Sequence, residues 1–329
     1  DDDALFEADE TFGLSLSAST ILVDDSDTAI GTITDNEGAN AVLTVTQHGS
    51  ETGPTSITYT VTLSRANNTG NDITFDLADA GTGSATSGTD YSAFGGTGVI
   101  TVSDGQTTGQ LTVAVTDDAV TEGLETVDAI LSNASDSDVT ITTASATANI
   151  SDDDGTTLTV ANVTVDEAAG TMTFSVVADK AVAGGFTVDY SFTDIEAVLG
   201  TDFTDAGTGT ITFAGNANET QTITVNIDDD ALFEADETFG LSLSASTALV
   251  DDSDTAIGTI TDNEGANAIL SVTQHGSETG PTSITYTVTL SRANNTGNDI
   301  TFDLADAGTG SATSGIDYSA FGGTGVITV

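Results

Sequence analysis

Hydrophobic and polar residues alternate over short runs along most of this chain. One region contains four such runs, at residues 172–176, 186–192, 223–227 and 239–243. A period of two is typical of a β-strand with one buried and one solvent-facing side. Turns rich in Gly or Asp separate the runs, and no stretch shows helical periodicity. With roughly seven strands per unit, the pattern predicts an all-β protein of antiparallel immunoglobulin-like β-sandwich domains rather than a barrel.

The chain repeats itself with very little change. Residues 1–102 return as residues 228–329, which is a period of 227. Four positions differ between the copies, and each exchange is compatible with one shared backbone: Ile21/Ala248, Val42/Ile269, Thr44/Ser271 and Thr89/Ile316. Such similarity indicates a recently duplicated tandem array. Because the chain opens on a motif that lies deep inside the second copy, we interpret it as an excerpt from a longer array.

Clusters of Gly, Asn and Asp divide each period into two related but diverged units. We place the joints after Gly38, Gly155 and Gly265. Each complete unit is long enough to bury a core of its own. The predicted domains are the C-terminal part of one sandwich (1–38), two complete sandwiches (39–155 and 156–265) and the N-terminal part of another (266–329).

The charge of the chain restricts its partners. Asp and Glu number 52 against 3 Lys and Arg, giving a formal net charge of −49, while 37% of the residues are hydrophobic. That apolar content is enough for a folded core. The negative charge excludes nucleic acid and repels an anionic membrane surface, so a divalent cation is the expected counter-ion. The sequence has no cysteine for disulfides and no apolar run long enough for a membrane span or a signal peptide.

The acidic residues concentrate at corresponding positions of the two complete units, although much of the sequence around them differs. Each unit has an early Glu, an Asp in a Gly-Thr-Asp-aromatic turn, an Asp-Asp run followed by two Glu, and a terminal triplet that is Asp-Asp-Asp in one unit and Asp-Asn-Glu in the other. In 39–155 the set is Glu51, Asp90, Asp117, Asp118, Glu122, Glu125, Asp152, Asp153 and Asp154. In 156–265 it is Glu167, Asp202, Asp229, Asp230, Glu234, Glu237, Asp262, Asn263 and Glu264.

These carboxylates match the coordination chemistry of calcium. Ca²⁺ takes about six to eight hard oxygen ligands at about 2.3–2.6 Å with tolerant geometry. Mg²⁺ requires a stricter octahedron, and Zn²⁺ prefers His or Cys, which are scarce or absent here. The clusters follow strand ends, so a sandwich would gather them at one of its two ends, which we call the acidic pole. We therefore expect Ca²⁺ as the cofactor, bound where each unit adjoins the next.

The combined pattern, Asp-Asp-x-x-x-Glu-x-x-Glu with the early Glu and the terminal acidic triplet, resembles the Calx-beta domain over the whole chain. The resemblance implies a tandem array from a large bacterial surface or secreted protein, with Ca²⁺ bound by the acidic residues above and by the Val120 and Leu232 carbonyls. One departure is that Asn263 and Glu264 stand where the other unit has Asp153 and Asp154, which predicts fewer or weaker ions there. Through the repeat, the implied ligands extend to Asp2, Asp3, Leu5, Glu7, Glu10, Asp35, Asn36, Glu37, Glu278 and Asp317.

Catalysis has little support in the sequence. His48 and its copy His275 are the only histidines, there is no Cys, and the paired carboxylates recur in every unit and are too crowded for one acid and one base. We expect a calcium-binding structural region of an extracellular rod or filament, with neighbouring domains and self-association as its contacts. The alternatives are the stalk of a giant adhesin, with its ligand-binding head elsewhere, and the spacer of a secreted multidomain enzyme.

Overall fold

The structure of the protein is a computed structural model, and it consists mainly of β-strands. It describes residues 3–22, 24, 26–94, 98–204, 208–280, 282–320 and 325–329. The chain separates into two compact units, Asp1–Gly155 and Thr156–Val329. The only helical element among the described residues is one 3-10 turn, Glu167–Ala169. None of the described helical segments is long and apolar enough to cross a membrane.

Residues 39–155 of the first unit form a sandwich of two sheets. The order in one sheet is β10-β6-β4-β13, and in the other β5-β14-β12-β8-β9. Neighbours are antiparallel except for β13 with β4 and β5 with β14, which are parallel. The strands are β4 (Ala39–Gln47), β5 (Gly49–Ser50), β6 (Ile57–Leu63), β7 (Asn67–Asn68), β8 (Ile73–Asp79), β9 (Gly98–Val102), β10 (Thr108–Val113), β11 (Val120–Thr121), β12 (Glu125–Ser132), β13 (Val139–Thr143) and β14 (Ser145–Ser151).

Side chains at every second strand position build the core of this sandwich. In β8, Ile73, Phe75 and Leu77 are buried, while the residues between them are half-buried. Tyr59 is also fully buried, and its hydroxyl donates to the Val127 carbonyl oxygen at 2.9 Å. The one polar atom of this large ring therefore has a partner inside the core.

Residues 156–265 of the second unit form a second sandwich with the sheet orders β20-β22-β17-β15-β25 and β16-β26-β24-β19-β21. Phenylalanines fill its core, with Phe203 stacked on Phe239 at 4.1 Å between ring centroids and Phe174 edge-on to Phe239. The strands are β15 (Thr156–Val160), β16 (Val163–Asp166), β17 (Thr171–Ala178), β18 (Ala181–Val182), β19 (Phe186–Asp194), β20 (Phe203–Thr204), β21 (Thr208–Phe213), β22 (Glu219–Ile227), β23 (Phe233–Glu234), β24 (Glu237–Ala245), β25 (Val250–Asp251) and β26 (Thr255–Thr261).

The remaining segments, residues 1–38 and 266–329, contribute strands only to two-stranded sheets within the described part of the chain. Phe12 is 48% exposed, whereas its counterpart Phe239 is 0% exposed. Residues 1–38 contain no counterpart of 156–227, the segment whose strands cover Phe239 in the complete domain. Residues 1–38 form β1 (Phe6–Glu7), β2 (Glu10–Ser15) and β3 (Thr28–Ile33), and residues 266–329 form β27 (Ala268–Gln274), β28 (Thr285–Leu290), β29 (Asn294–Asn295), β30 (Thr301–Leu304) and β31 (Gly325–Thr328).

The architecture confirms the predicted all-β class and the antiparallel sandwich. Each sandwich places hydrophobic side chains between its two sheets, as the period-two pattern indicated. The domain boundaries assigned from the Gly-rich joints stay a prediction.

Candidate metal centres

Parallel strand pairing gathers the first acidic group of residues 39–155. Glu51 follows β5, and Asp152 follows β14, its parallel neighbour. The Glu51 amide donates to the Ser151 carbonyl oxygen at 3.0 Å, which fixes the two strand ends side by side. One carboxylate oxygen from each of four residues therefore lies within 4.8 Å of the others: Glu51, Asp152, Asp153 and Asp154.

A second group lies in the same domain. Asp90, Glu122 and Glu125 each bring one carboxylate oxygen within 4.8 Å of the other two. The Asp90 Oδ2 atom accepts from the Thr86 amide at 2.5 Å, which holds this carboxylate in place. The Glu122 amide donates to Asp152 Oδ2 at 2.9 Å and so connects this group to the first.

Burial makes these carboxylates unusual. Glu51 is 3% exposed and Asp90 is 5% exposed. Within the described part of the chain, three buried carboxylate oxygens have no hydrogen-bond partner: Glu51 Oε2 and Glu125 Oε2 in this domain, and Glu264 Oε2 in residues 156–265. A buried charged oxygen without a partner is costly, so the observed arrangement calls for a proton or a cation at these atoms. Hard, crowded carboxylate oxygens of this kind fit Ca²⁺.

The electrostatic consequence appears in the pKa values. Burial, followed by the nearby Asp152, Asp118 and Glu122 charges, raises the pKa of Glu51 to about 7, although a hydrogen bond from the Asp118 amide acts in the opposite direction. Burial and the Asp90 and Glu122 charges likewise raise the pKa of Glu125 to about 7. In the absence of metal, this domain therefore contains two carboxyl groups, those of Glu51 and Glu125, that resist ionisation near neutral pH.

The pole of residues 156–265 has a related arrangement. Glu167, Asp229 and Glu264 bring carboxylate oxygens within 4.8 Å of one another. Burial, followed by the adjacent Glu264 side chain, raises the pKa of Glu167 to about 7, and burial with the Asp202 charge does the same for Glu237. A recess next to Glu167 is lined by most of the other predicted residues, namely Asp202, Asp230, Glu234, Glu237 and Asp262.

The second Asp of each Asp-Asp run shapes its own loop. Asp118 Oδ1 accepts from the Val120 amide at 2.7 Å, and Asp230 Oδ1 accepts from the Leu232 amide at 2.7 Å. This local turn is a common use of Asp and fixes the backbone before the two Glu residues. In residues 1–38, Asp3 Oδ1 accepts from the Leu5 amide at 2.8 Å in the same way.

The Asp-rich loops that precede β1 and β23 each lead into a short strand that pairs with the segment following their domain. In the first unit, β1 pairs in parallel with β7, with Phe6 opposite Asn67. Phe6 is 1% exposed and belongs to the core cluster of residues 39–155. In the second unit, β23 pairs in parallel with β29, with Phe233 opposite Asn294. The residues that would bind metal are therefore adjacent in sequence to residues that bind the next segment.

The model of one protein family, the Calx-beta domain, matches residues 39–154 and 156–264. The chain belongs to the Calx-beta family. The match begins a second time two residues after the first ends, so the domains are in tandem. Calx-beta membership agrees with the sandwich fold and with the resemblance of the acidic pattern.

Several solved Calx structures are similar to this chain. The apo form of the Calx CBD1 domain is 26% identical, with 33% of this chain and 99% of that chain covered and a TM-score of 0.30. CBD12 from CALX1.2 is 20% identical over 62% of this chain and 79% of that chain, with a TM-score of 0.29. A tetra-tandem repeat in the extending region of a large adhesion protein is 16% identical over 89% of this chain and 76% of that chain, with a TM-score of 0.38. Comparison with curated protein sequences gave no match.

The predicted ligands in residues 1–38 and 266–329 are less closely gathered. Glu278 and Asp317 are exposed, although their counterparts Glu51 and Asp90 are buried, because residues 266–329 contain no counterpart of 103–155. In residues 1–38, the Glu7 amide donates to Asp35 Oδ2 at 3.3 Å. Asp2 lies outside the described residues. The predicted acidic residues that join none of the close carboxylate groups are Asp3, Glu7, Glu10, Asp35, Glu37, Asp117, Asp118, Asp202, Asp230, Glu234, Glu237, Asp262, Glu278 and Asp317. The other predicted ligands, Leu5, Asn36, Val120, Leu232 and Asn263, have no side-chain carboxylate to contribute to such a group.

The sequence reasoning missed three participants at the pole of the Calx-beta domain 156–265. Asp166 caps the 3-10 turn that presents Glu167 and accepts from the Asn263 side chain at 3.4 Å. Asp228 lines the recess, and Arg292 approaches Glu264 with 3.8 Å between Nη1 and Oε1. One sequence signal pointed to Arg292. It is one of only three basic residues, and Arg65 is its copy in the repeat.

Proposed function

We propose that this chain is a calcium-binding structural region of an extracellular rod or filament, in which Ca²⁺ at the acidic poles stiffens the joints between Calx-beta domains. The buried, unpartnered carboxylate oxygens of Glu51 and Glu125 carry the proposal. Their neighbours are other carboxylates, so a divalent cation supplies the missing partner and offsets their repulsion. The recurrence of the same acidic set in both complete domains supports a structural rather than a catalytic role.

The proposed mechanism is electrostatic. Without metal, the carboxylates of each pole repel one another and the ends of the strands are strained apart. With free Ca²⁺ at about 100 times its dissociation constant, each site adds about 2.7 kcal/mol to the stability of the folded state. That is a large share of the stability of a small domain.

The link from metal to stiffness lies in the Asp-rich loops. Phe6 follows the Asp-Asp run and is buried against residues 39–155, while Glu7 on the same short strand is a predicted ligand. Ordering the acidic loop therefore orders the strand that pairs with the following domain. An extracellular location fits this role, because calcium is abundant there.

Small-angle X-ray scattering of the whole chain in millimolar Ca²⁺ and in EGTA tests the proposal. We expect an extended particle of defined length with calcium, and a more flexible, protease-sensitive particle after chelation. The double variant Glu51→Gln/Glu125→Gln should lose part of the calcium response. Asp189→Asn, which removes an exposed carboxylate from a sheet face away from the acidic triplets, is the matched control. Scattering curves and proteolysis rates that are identical with calcium and with EGTA would contradict the proposal.

A further inference from the structure

The terminal triplets of the two acidic poles differ at two positions, and one of these differences, Asn263 in place of Asp153, removes a carboxylate. Residues 39–155 end in Asp152, Asp153 and Asp154, and all three join Glu51 in one group of four carboxylates. At the corresponding pole of residues 156–265, Asn263 takes the place of Asp153, and the group has three carboxylates, from Glu167, Asp229 and Glu264. The second pole therefore offers a metal ion a different set of carboxylate ligands from the first.

The Asn263 side chain presents its NH₂ group to this pole. Its Nδ2 atom donates to Asp229 Oδ1 at 3.0 Å and to Asp166 Oδ1 at 3.4 Å. Ionised carboxylates only accept hydrogen bonds, so the amide end that faces two of them is the donor end. The Asn263 backbone amide also donates to Glu167 Oε1 at 3.3 Å. Three carboxylates thus receive N–H groups from one residue, at the place where Asp153 would add another negative charge.

A guanidinium group adds a positive charge to the same pole. Arg292 Nη1 lies 3.8 Å from Glu264 Oε1, and the Glu264 side chain is only 11% exposed. Arg292 belongs to the segment that follows this domain, on the turn before β29. Lys180 holds the corresponding position in the segment after residues 39–155, because the preceding residues, Asp179 and Ser291, donate equivalent backbone hydrogen bonds. Each of the two poles is therefore followed by one basic residue, and the basic charge does not distinguish them.

We infer that the pole at Asp262–Glu264 takes one Ca²⁺ fewer than the pole at Asp152–Asp154, with the Asn263 amide in place of that ion. The inference rests on the proposed calcium function. Calcium affinity depends on the number of charged ligands, and here one charged ligand is exchanged for a hydrogen-bond donor. Because Asn36 repeats Asn263, joints rich and poor in calcium alternate along the array.

Calcium counting on the intact chain tests this inference. Native mass spectrometry, with isothermal titration calorimetry in solution, gives the number of bound Ca²⁺ ions for the wild type and for Asn263→Asp, Asp153→Asn and Asn216→Asp. We expect Asn263→Asp to bind one ion more than the wild type and Asp153→Asn to bind one fewer. Asn216→Asp adds the same charge at an exposed turn outside the pole, so its count should equal that of the wild type.

The outcomes separate the inference from the function on which it rests. If the wild type binds no Ca²⁺, the proposed function is wrong and the inference falls with it. If the wild type binds Ca²⁺ but Asn263→Asp binds the same number with unchanged affinity, the inference is overturned while the proposed function stands. Asp153→Asn removes a charge from a crowded pole and is expected to fold, so its count decides the matter if Asn263→Asp is unstable. An unchanged count in Asp153→Asn would also overturn the inference.

Discussion

Phe6 offers a direct test of how the Asp-rich loop is fixed to the domain that follows it. The ring is 1% exposed in the core of residues 39–155, although Phe6 belongs to the preceding segment. Truncating a fully buried Phe to Ala costs about 3–5 kcal/mol, from lost burial and the cavity left behind. The Phe6→Ala change should therefore destabilise the state in which β1 is paired with β7, relative to the state in which β1 is detached.

Hydrogen exchange followed by mass spectrometry measures that docked state locally. Since each 1.4 kcal/mol is about tenfold in an equilibrium constant, we expect amides around β7 to exchange roughly two to four powers of ten faster in Phe6→Ala. Phe12→Ala is the matched control, because Phe12 is 48% exposed on the same segment and its loss should change stability by less than about 0.5 kcal/mol. Equal protection of β7 in the two variants would refute the docking of Phe6.

Three further predictions follow from buried polar groups. In EGTA, the folded-state pKa of about 7 for Glu51 and Glu125 lies above the ordinary 4.5, so their contribution to stability is fully present below about pH 4.5 and is lost as the pH rises through about 7. The melting temperature without metal should therefore fall from about pH 5 to about pH 8, and a flat profile would count against the raised pKa values. Asn67 is 0% exposed, and its side-chain amide donates to the Asn71 and Val102 carbonyl oxygens. Asn67→Asp should therefore lower the free energy of unfolding, measured by thermal unfolding, by about 2–4 kcal/mol. Asn294→Asp, at the half-buried copy of this position, should lower it by less, and equal losses would contradict this. Tyr59→Phe should cost about 0.5–1.5 kcal/mol by the same measurement, through loss of the bond to Val127, and wild-type stability would show that bond to be unimportant.

The fold class was accessible from the sequence because hydrophobic alternation reports directly on which strand face is buried. Ile73, Phe75 and Leu77 illustrate this, since each lies at an apolar position of an alternating run and each is buried in the sandwich. The acidic pattern also indicated which residues would meet. Glu51 is far from Asp152 in sequence, but both follow strand ends, and strand ends of a sandwich meet at its poles.

The finer features of the poles depend on side-chain directions that a sequence pattern does not contain. Asn263 was recognised as a departure from the acidic triplet, but its donation to Asp229 and Asp166 becomes visible only in three dimensions. Arg292 belongs to another segment of the chain, so its approach to Glu264 depends on how two segments pack. The burial of Phe6 has the same origin, because the sequence assigns it to the preceding domain.

Thermal unfolding of the intact chain near neutral pH, compared in Ca²⁺, in Mg²⁺ and in EGTA, tests the central claim most directly. If the poles bind Ca²⁺, stability should rise with its concentration by about 2.7 kcal/mol per site at 100 times the dissociation constant, and Mg²⁺ should give a smaller rise. The Glu51→Gln/Glu125→Gln variant should lose part of the calcium response. A single melting temperature, unchanged by Ca²⁺ or EGTA, would contradict the account of these acidic poles as calcium sites.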